Sequence, residues 1–473
     1  MKILRYVILL GLVTLCTIIS NAQHQELQEK PKIWQSESKN LKDTLSILAA
    51  FKSGTINGHF RYFLSSTINK GELTDYIANA VGGGLRYETG SYHGFKVGVS
   101  GFYIFNAGSS DLSVKDPISG QSNRYEVGLF DITDPNVTTE INRLEEFFIK
   151  YEQSNLKITF GRQLLNTPFV NLQDGRMRPT AVEGLWIESK LNKHQFQLGY
   201  IYGIAPRSTS KWYSVQDAIG LYPVGIAQDG TKSQYYGNIK TKGIILANYQ
   251  YKPSQKYSFN IWNFCLENIL NTTLLQLDQN FTIENRKLYT GFQLAAQTKA
   301  GNGGNSEPVK TYKSDDKAVY TIGFRVGIKN EKWDHSLNFN YITSGGRYIM
   351  PREFGRDYFF TFMPRERNEG FGNVTAVVLK SNYQMAKETG IQLSGGIFLM
   401  PDVKNYKLNK YSMPSYTQVN LDFRHRFSGH FNGFEGQILW VSKFSIGDTY
   451  GFSKNIINKV DMHLLNFVLN FRF

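Results

Sequence analysis

From Thr55 to the C-terminus, apolar and polar residues alternate in segments of about ten, each ended by a polar break. In one segment Phe95, Val97, Val99 and Tyr103 alternate with Lys96, Gly98 and Ser100. In another, Tyr320, Ile322, Phe324, Val326 and Ile328 alternate with Thr321, Gly323, Arg325 and Gly327. Near the end, Val419, Leu421, Phe423 and Phe427 alternate with Gln418, Asn420, Asp422, Arg424 and Arg426. A period of two is that of a β-strand with one apolar face and one polar face. The breaks alternate between short (152–155, 190–195, 252–256, 329–332, 428–433) and long (106–143, 163–181, 205–243, 299–318, 344–373). Short turns at one rim and long loops at the other predict an all-β transmembrane antiparallel barrel, with the short turns periplasmic and the long loops extracellular. Counting segments predicts about 18 strands, a size that leaves an aqueous bore.

The N-terminal residues do not share the alternation. Lys2 and Arg5 precede an apolar run from Tyr6 to Ile19, and Ser20-Asn21-Ala22 supplies small residues for cleavage, so residues 1–22 read as a signal peptide. The run is too short to span a bilayer comfortably. Cys16 lies within it, and Leu15 occupies the place where a lipoprotein signal would carry a small residue. Residues 23–53 are polar apart from Leu41, Leu45 and Leu48 at helical spacing. They are expected to form a periplasmic extension with a short helix at the rim, too short to act as a plug. The barrel then occupies residues 54–473.

Composition agrees with this division. After the signal no stretch reaches the ~20 apolar residues of a membrane helix, and the mean hydropathy is -0.34. A barrel also looks polar on average, because alternate residues face water. Only Cys265 remains after cleavage, which excludes an internal disulfide. The formal charge of +14 suits anionic solutes or lipid headgroups in an exported protein, and nucleic acid is not an expected partner. The aromatic content of 14% fits girdles at the two membrane interfaces. The last strand ends on Phe473, which resembles the terminal signal read by the barrel assembly machinery.

Enzyme motifs are missing. There is no His-Glu-x-x-His, no Gly-x-Ser-x-Gly and no phosphate-binding loop, and His59, His335 and His463 are scattered one per segment. No catalytic residue, metal site or cofactor is therefore assigned. A Ser-His pair assembled from distant strands would still allow a lipid-hydrolysing barrel.

The basic residues carry more information. At mid-depth on the lipid face an Arg costs ~2–4 kcal/mol, so Arg61, Arg86, Arg325, Arg424 and Arg426 are expected to face the lumen. Closing the barrel sets the last strand beside the first. Arg424, Arg426, Arg472, Arg61, Arg86 and Lys96 then come from nearly consecutive staves and form a basic stripe, balanced in part by Asp422, Glu88 and Glu435. A wide bore calls for an inward-folded loop. Residues 163–181, with Asp174, Arg176 and Arg178, are the first choice, while 344–373 could equally fold inward or lie exposed.

Three stretches resemble the OprD-like family of substrate-specific outer-membrane porins. They are His59-Phe60-Arg61-Tyr62 with Gly82-Gly83-Gly84-Leu85-Arg86-Tyr87-Glu88-Thr89-Gly90, the region 156–183 with Asp174-Gly175-Arg176-Met177-Arg178-Pro179, and Asp422-Phe423-Arg424-His425-Arg426-Phe427. The resemblance implies a Gram-negative outer-membrane location, an inward third loop, and passive diffusion of carboxylate-bearing solutes along a basic ladder. It gives Arg61, Arg86, Arg424 and Arg426 the ladder role and Asp174 the constriction role. Phosphate- or anion-selective transport is the alternative within the same architecture. The stretch Phe359-Phe360-Thr361-Phe362-Met363-Pro364-Arg365-Glu366-Arg367 matches nothing in the family pattern.

Overall fold

The computed structural model describes residues 31–35, 43–139, 141–172 and 175–473. The signal peptide, Leu41, Cys16 and Asp174 lie outside the described residues. Within them the chain forms a closed antiparallel barrel of 18 strands. These are β1 Thr55–Asn69, β2 Tyr76–Glu88, β3 Phe95–Ser109, β4 Ile141–Gln153, β5 Leu156–Gln163 and β6 Ala181–Leu191. Next come β7 His194–Ala205, β8 Ile244–Ser254, β9 Tyr257–Leu266, β10 Leu270–Ile283, β11 Arg286–Lys299 and β12 Val319–Lys329. The last are β13 Trp333–Ile342, β14 Val374–Ala386, β15 Thr389–Leu399, β16 Tyr416–Arg426, β17 Phe434–Ser445 and β18 Met462–Arg472. The two-residue strand Tyr213–Ser214 lies within a loop and pairs only with the end of β7.

The predicted strand number and rim asymmetry are both present. One rim carries turns such as 153–156 and 191–194, and the other carries the long loops. The asymmetry is incomplete, because 69–76 and 266–270 are short connections at the long-loop rim. Side chains alternate as expected. Along β1, Ile56 and Phe60 point outward and are exposed, whereas Asn57, His59, Phe63, Ser65 and Thr67 are buried inside. An exposed aromatic or aliphatic row is stable here because lipid, not water, is the solvent on that side.

The barrel closes where β1 pairs with β18, Phe60 opposite Phe471 and His59 opposite Arg472. Phe473 continues the pairing past the strand end, with its N–H donating to the Gly58 carbonyl at 3.1 Å and its carbonyl accepting from the Gly58 N–H at 2.9 Å. Its ring lies over Gly58 and stacks near Phe60, centroids 6.3 Å apart. Even a β-carbon at residue 58 would sit 2.1 Å from that ring. Glycine at 58 is therefore what seats the terminal Phe.

The bore is not an open tube. The loop 163–181 and the loop 344–373 both fold inward, and Phe169, Val170, Leu172, Tyr348, Phe354, Tyr358, Phe359 and Met363 are buried. They pack against strand residues such as Phe264, Leu274, Ala376, Val378 and Phe398. A loop carrying that many aromatics would expose a large apolar surface to water if it stayed outside, so 344–373 folds inward. The two loops are joined. Asn171 donates from its backbone N to the Phe354 carbonyl at 3.0 Å and from Nδ2 to the Arg356 carbonyl at 2.9 Å. Arg356 N returns a bond to Asn171 Oδ1 at 3.1 Å.

The N-terminal extension departs from expectation. Its helix is short, Ile47–Lys52, capped by Ser46, whose hydroxyl accepts from Ala49 N at 3.1 Å. Leu45 and Leu48 are exposed and form no buried stripe. Further upstream, Trp34 is buried inside the barrel rather than resting at the rim. So short a segment reaches buried contacts because the inward loops already fill much of the bore.

Candidate solute path and constriction

The candidate constriction is built where loop 163–181 meets the first four strands. In β4 the alternation slips: the pairing with β3 jumps between Ser100 and Gly101, so Glu145 and Glu146 are both buried while Leu144 and Phe147 point outward. This is a β-bulge, which re-aims consecutive side chains to one face. The Arg178 guanidinium meets Glu145 through Nε at 2.8 and 2.7 Å and through Nη2 as well. Arg143 Nη2 donates to the same carboxylate at 2.8 Å. Glu146 accepts from Ser100 Oγ at 2.8 Å and pairs with Arg86 Nε at 3.2 Å. Glu88 is shared between Arg86 and Lys150 Nζ, the latter at 2.7 Å.

His59 joins Arg178 to the barrel seam. Its Nδ1 lies 2.8 Å from Arg178 Nη1 and its Nε2 lies 3.0 Å from Asn470 Oδ1. A guanidinium only donates, so Nδ1 accepts and the ring proton sits on Nε2. That tautomer orients Arg178 toward Glu145. Beside Arg61, the inward-facing Gly82 leaves space that Phe102 and Met177 fill; a β-carbon there would lie 2.5 Å from the Phe102 ring.

All six residues of the expected basic stripe lie on inward faces, on β16, β18, β1, β2 and β3. Their depths differ. Arg426 and Arg472 are the last residues of their strands and Lys96 is the second residue of β3, so these stand at the short-turn rim. Arg424 and Arg86 lie a step inward, and Arg61 is near the middle of β1. Carboxylates answer most of them: Glu152 for Lys96 at 3.4 Å, Asp422 for Arg424 at 2.8 Å, and Glu435 for Arg426 at 3.6 Å and Arg472 at 3.8 Å. Arg61 is the exception. Among the described residues it makes no ion pair, its buried Nε has no hydrogen-bond partner, and its guanidinium rests 5.4 Å from the Phe63 ring centroid. The strongest charges acting on it are Arg472, Arg178 and Arg365, with Glu435 the opposing acid.

The other predicted loop residues divide. Arg178 is central. Arg176 adopts a left-handed backbone, φ 50°, and packs over Gly128. Arg325 faces inward as expected, pairing with Asp278 at 3.1 Å under the Phe360 ring. Sequence reasoning missed Glu145, Glu146, Arg143 and Arg365. The last reaches the seam from loop 344–373, Nη2 donating to Asn466 Oδ1 at 2.6 Å.

Above the constriction, loop 344–373 holds a second buried cluster with the 399–416 loop. Lys410 Nζ donates to the Tyr235 hydroxyl at 3.2 Å and sits 4.6 Å from the ring centroids of both Tyr235 and Tyr312. Burial pushes its ammonium down to about 7, with Glu369 opposing the shift. Asp357 is pushed up to about 6 by burial, opposed by Arg367 and reinforced by Glu369.

An 18-stranded barrel with a lipid-compatible exterior, inward loops and a charged inner wall is an outer-membrane barrel of porin architecture. The chain is OprD-like: residues 142–348 match the model for the outer membrane porin, OprD family. The fold is shared with Pseudomonas aeruginosa OpdK, solved with vanillate, at TM-score 0.68 and 12% identity over 89% of this chain and 99% of that one. Acinetobacter baumannii OccAB4 gives 0.69 and 13% over 89% and 98%. P. aeruginosa OccD3 (OpdP) gives 0.67 and 14% over 92% and 95%. A search of curated proteins finds no match. The protein resides in the outer membrane of a Gram-negative bacterium.

Proposed function

We propose that this barrel passes small carboxylate-bearing solutes by passive diffusion, with no covalent step and no cofactor. The observation that carries the reading is Arg61, a cation inside the bore with no carboxylate paired to it among the described residues and with Arg178, Arg365 and Arg472 nearby. An anion entering a narrow bore loses hydration, and fixed guanidinium groups offset that loss. The paired residues between Arg61 and the short-turn rim would present weaker steps on that side of it. Conduction needs this kind of graded, multi-site binding so that the solute can leave again. OpdK, which shares the fold, is solved with vanillate, an aromatic carboxylate, and that supports the same solute class here.

The test is single-channel conductance in planar bilayers with aromatic carboxylates, amino acids and inorganic phosphate as competitors. Carboxylates are expected to block the current at lower concentration than phosphate, and Arg61→Gln is expected to remove the difference. Phosphate competing most strongly would replace this reading with an anion-selective porin. Lipid hydrolysis by the purified barrel, lost on a single Ser or His change, would overturn the channel reading.

A further inference from the structure

We propose that Trp34 is an internal ligand of the constriction, and that the N-terminal segment holds the solute path occupied until it withdraws. The proposal rests on the reading of the bore as a solute path. Trp34 lies far from the barrel strands in sequence, yet its indole is buried and its contacts are specific. Nε1, its one polar atom, donates to Glu146 Oε2 at 3.0 Å. Its ring lies 4.7 Å from the Arg178 guanidinium carbon, whose distance to the Phe102 ring is 4.4 Å. It also meets His59 edge-on, centroids 6.3 Å apart. Trp34 thus contacts three groups that build the constriction: the bulged glutamate, the loop arginine and the histidine that orients that arginine.

Two residues upstream of Trp34 the surroundings are less favourable. Lys32 stands among Arg472, Glu435 and Arg426, two like charges against one opposite charge. The Trp34 side chain therefore supplies the anchor, while the cation two residues upstream adds no matched ion pair of its own among the described residues. The cap residue Ser46 of α1 (Ile47–Lys52) lies twelve residues beyond Trp34, a fully extended reach of ~40 Å. Withdrawal would uncover Glu146 and Arg178 to water and to a passing solute.

Removing the indole is expected to shift the ratio of closed to open dwell time toward open by roughly tenfold or more, as befits loss of a hydrogen bond to a charged group together with a cation–π contact. The experiment compares wild type, Trp34→Ala and Trp34→Phe in planar bilayers, with heat-modifiable gel migration confirming that each barrel is folded. Wild type should show frequent closures, Trp34→Ala few, and Trp34→Phe an intermediate number, because it keeps a ring and loses the N–H. A second arm joins Trp34→Cys to Glu146→Cys in a Cys265→Ser background through a reducible bifunctional thiol cross-linker, since side chains that meet only at their tips leave the sulfurs too far apart for a direct disulfide; cross-linking should hold the channel closed and reduction reopen it. Unchanged dwell times in Trp34→Ala, or a cross-linked double-cysteine variant that conducts as the reduced one does, overturn the proposal. Carboxylate preference is measured in the same Trp34→Ala channels. Its absence alongside lost closures would sink the solute assignment and leave the internal ligand standing.

Discussion

Arg178, on an extracellular loop, and Glu145, on the fourth strand, form a buried ion pair with Nε–O distances of 2.8 and 2.7 Å, and their side chains are 3% and 0% exposed. The pair pins the inward-folded loop to the wall. Arg143 and His59 bind the same two groups, so the loop position and the wall charge are set together.

The first prediction concerns this pin. Taking one partner from a buried pair leaves an uncompensated charge and costs about 3–5 kcal/mol. Glu145→Ala should lower the thermal unfolding midpoint and raise conductance noise, because Arg178 loses its position. Glu145→Met combined with Arg178→Met removes both charges and should recover much of the stability while leaving the loop unspecified. Equal midpoints for Glu145→Ala and wild type would show that the pair does not hold the loop.

The second prediction concerns the tie between the two inward loops. Asn171 spans them with two side-chain hydrogen bonds to the Arg356 backbone, each contributing about 1 kcal/mol. Asn171→Ala should loosen 344–373 without affecting the strands. Trypsin should then cut at Arg352, Arg365 or Arg367, sites that the wild-type packing protects. An unchanged digestion pattern with a folded barrel would place the tie elsewhere.

Most of the architecture could be read from the chain because lipid outside and water inside impose period-two alternation on every strand. β12 and β16 show it without exception over their central residues, and β1 breaks it where Phe63 turns inward between Tyr62 and Leu64. Two parts of the site obey other rules. Leu144 and Phe147 are outward-facing residues spaced by three, and that spacing is the sequence mark of the bulge at Glu145 and Glu146. The run from Phe359 to Met363 was too apolar for an exposed loop, a mark of its inward packing that composition alone could have supplied. Trp34 left no local sign, since its partners lie more than a hundred residues away in the case of Glu146.

A third prediction follows from Lys410. Its ordinary value is 10.5 and burial brings it to about 7. Between these values the unfolded loop holds a proton that the folded loop has released, so folded-state stability rises with pH. The contribution is fully present above 10.5 and lost as pH falls through about 7. Lys410→Met should flatten that dependence between pH 7 and 10, read as thermal midpoints at several pH values. A variant that keeps the wild-type slope would assign it to another group.

The last prediction separates Arg61 from the residues at the short-turn rim. Arg424 and Arg426 each pair with a carboxylate, Asp422 and Glu435, the latter shared with Arg472, and Arg426 is about half exposed at the strand end. Water and salt screen such a site, with a Debye length of ~10 Å at 0.1 M. Replacing both with Gln should therefore slow entry of carboxylate solutes chiefly at low ionic strength, and the effect should fade as salt is added. Arg61 lies deeper and has no carboxylate within pairing distance among the described residues. Its field is less screened because protein surrounds it, so Arg61→Gln should reduce carboxylate flux at both low and high salt and leave neutral sugars of similar size unaffected. Flux measured in liposomes at two ionic strengths distinguishes the two positions. If Arg61→Gln lost its effect at high salt as the rim variant does, both would act only by attracting solute to the mouth. If neither variant changed carboxylate flux, the basic wall would be a structural charge network balanced by its acids, and solute choice would have to come from the shape of the loops.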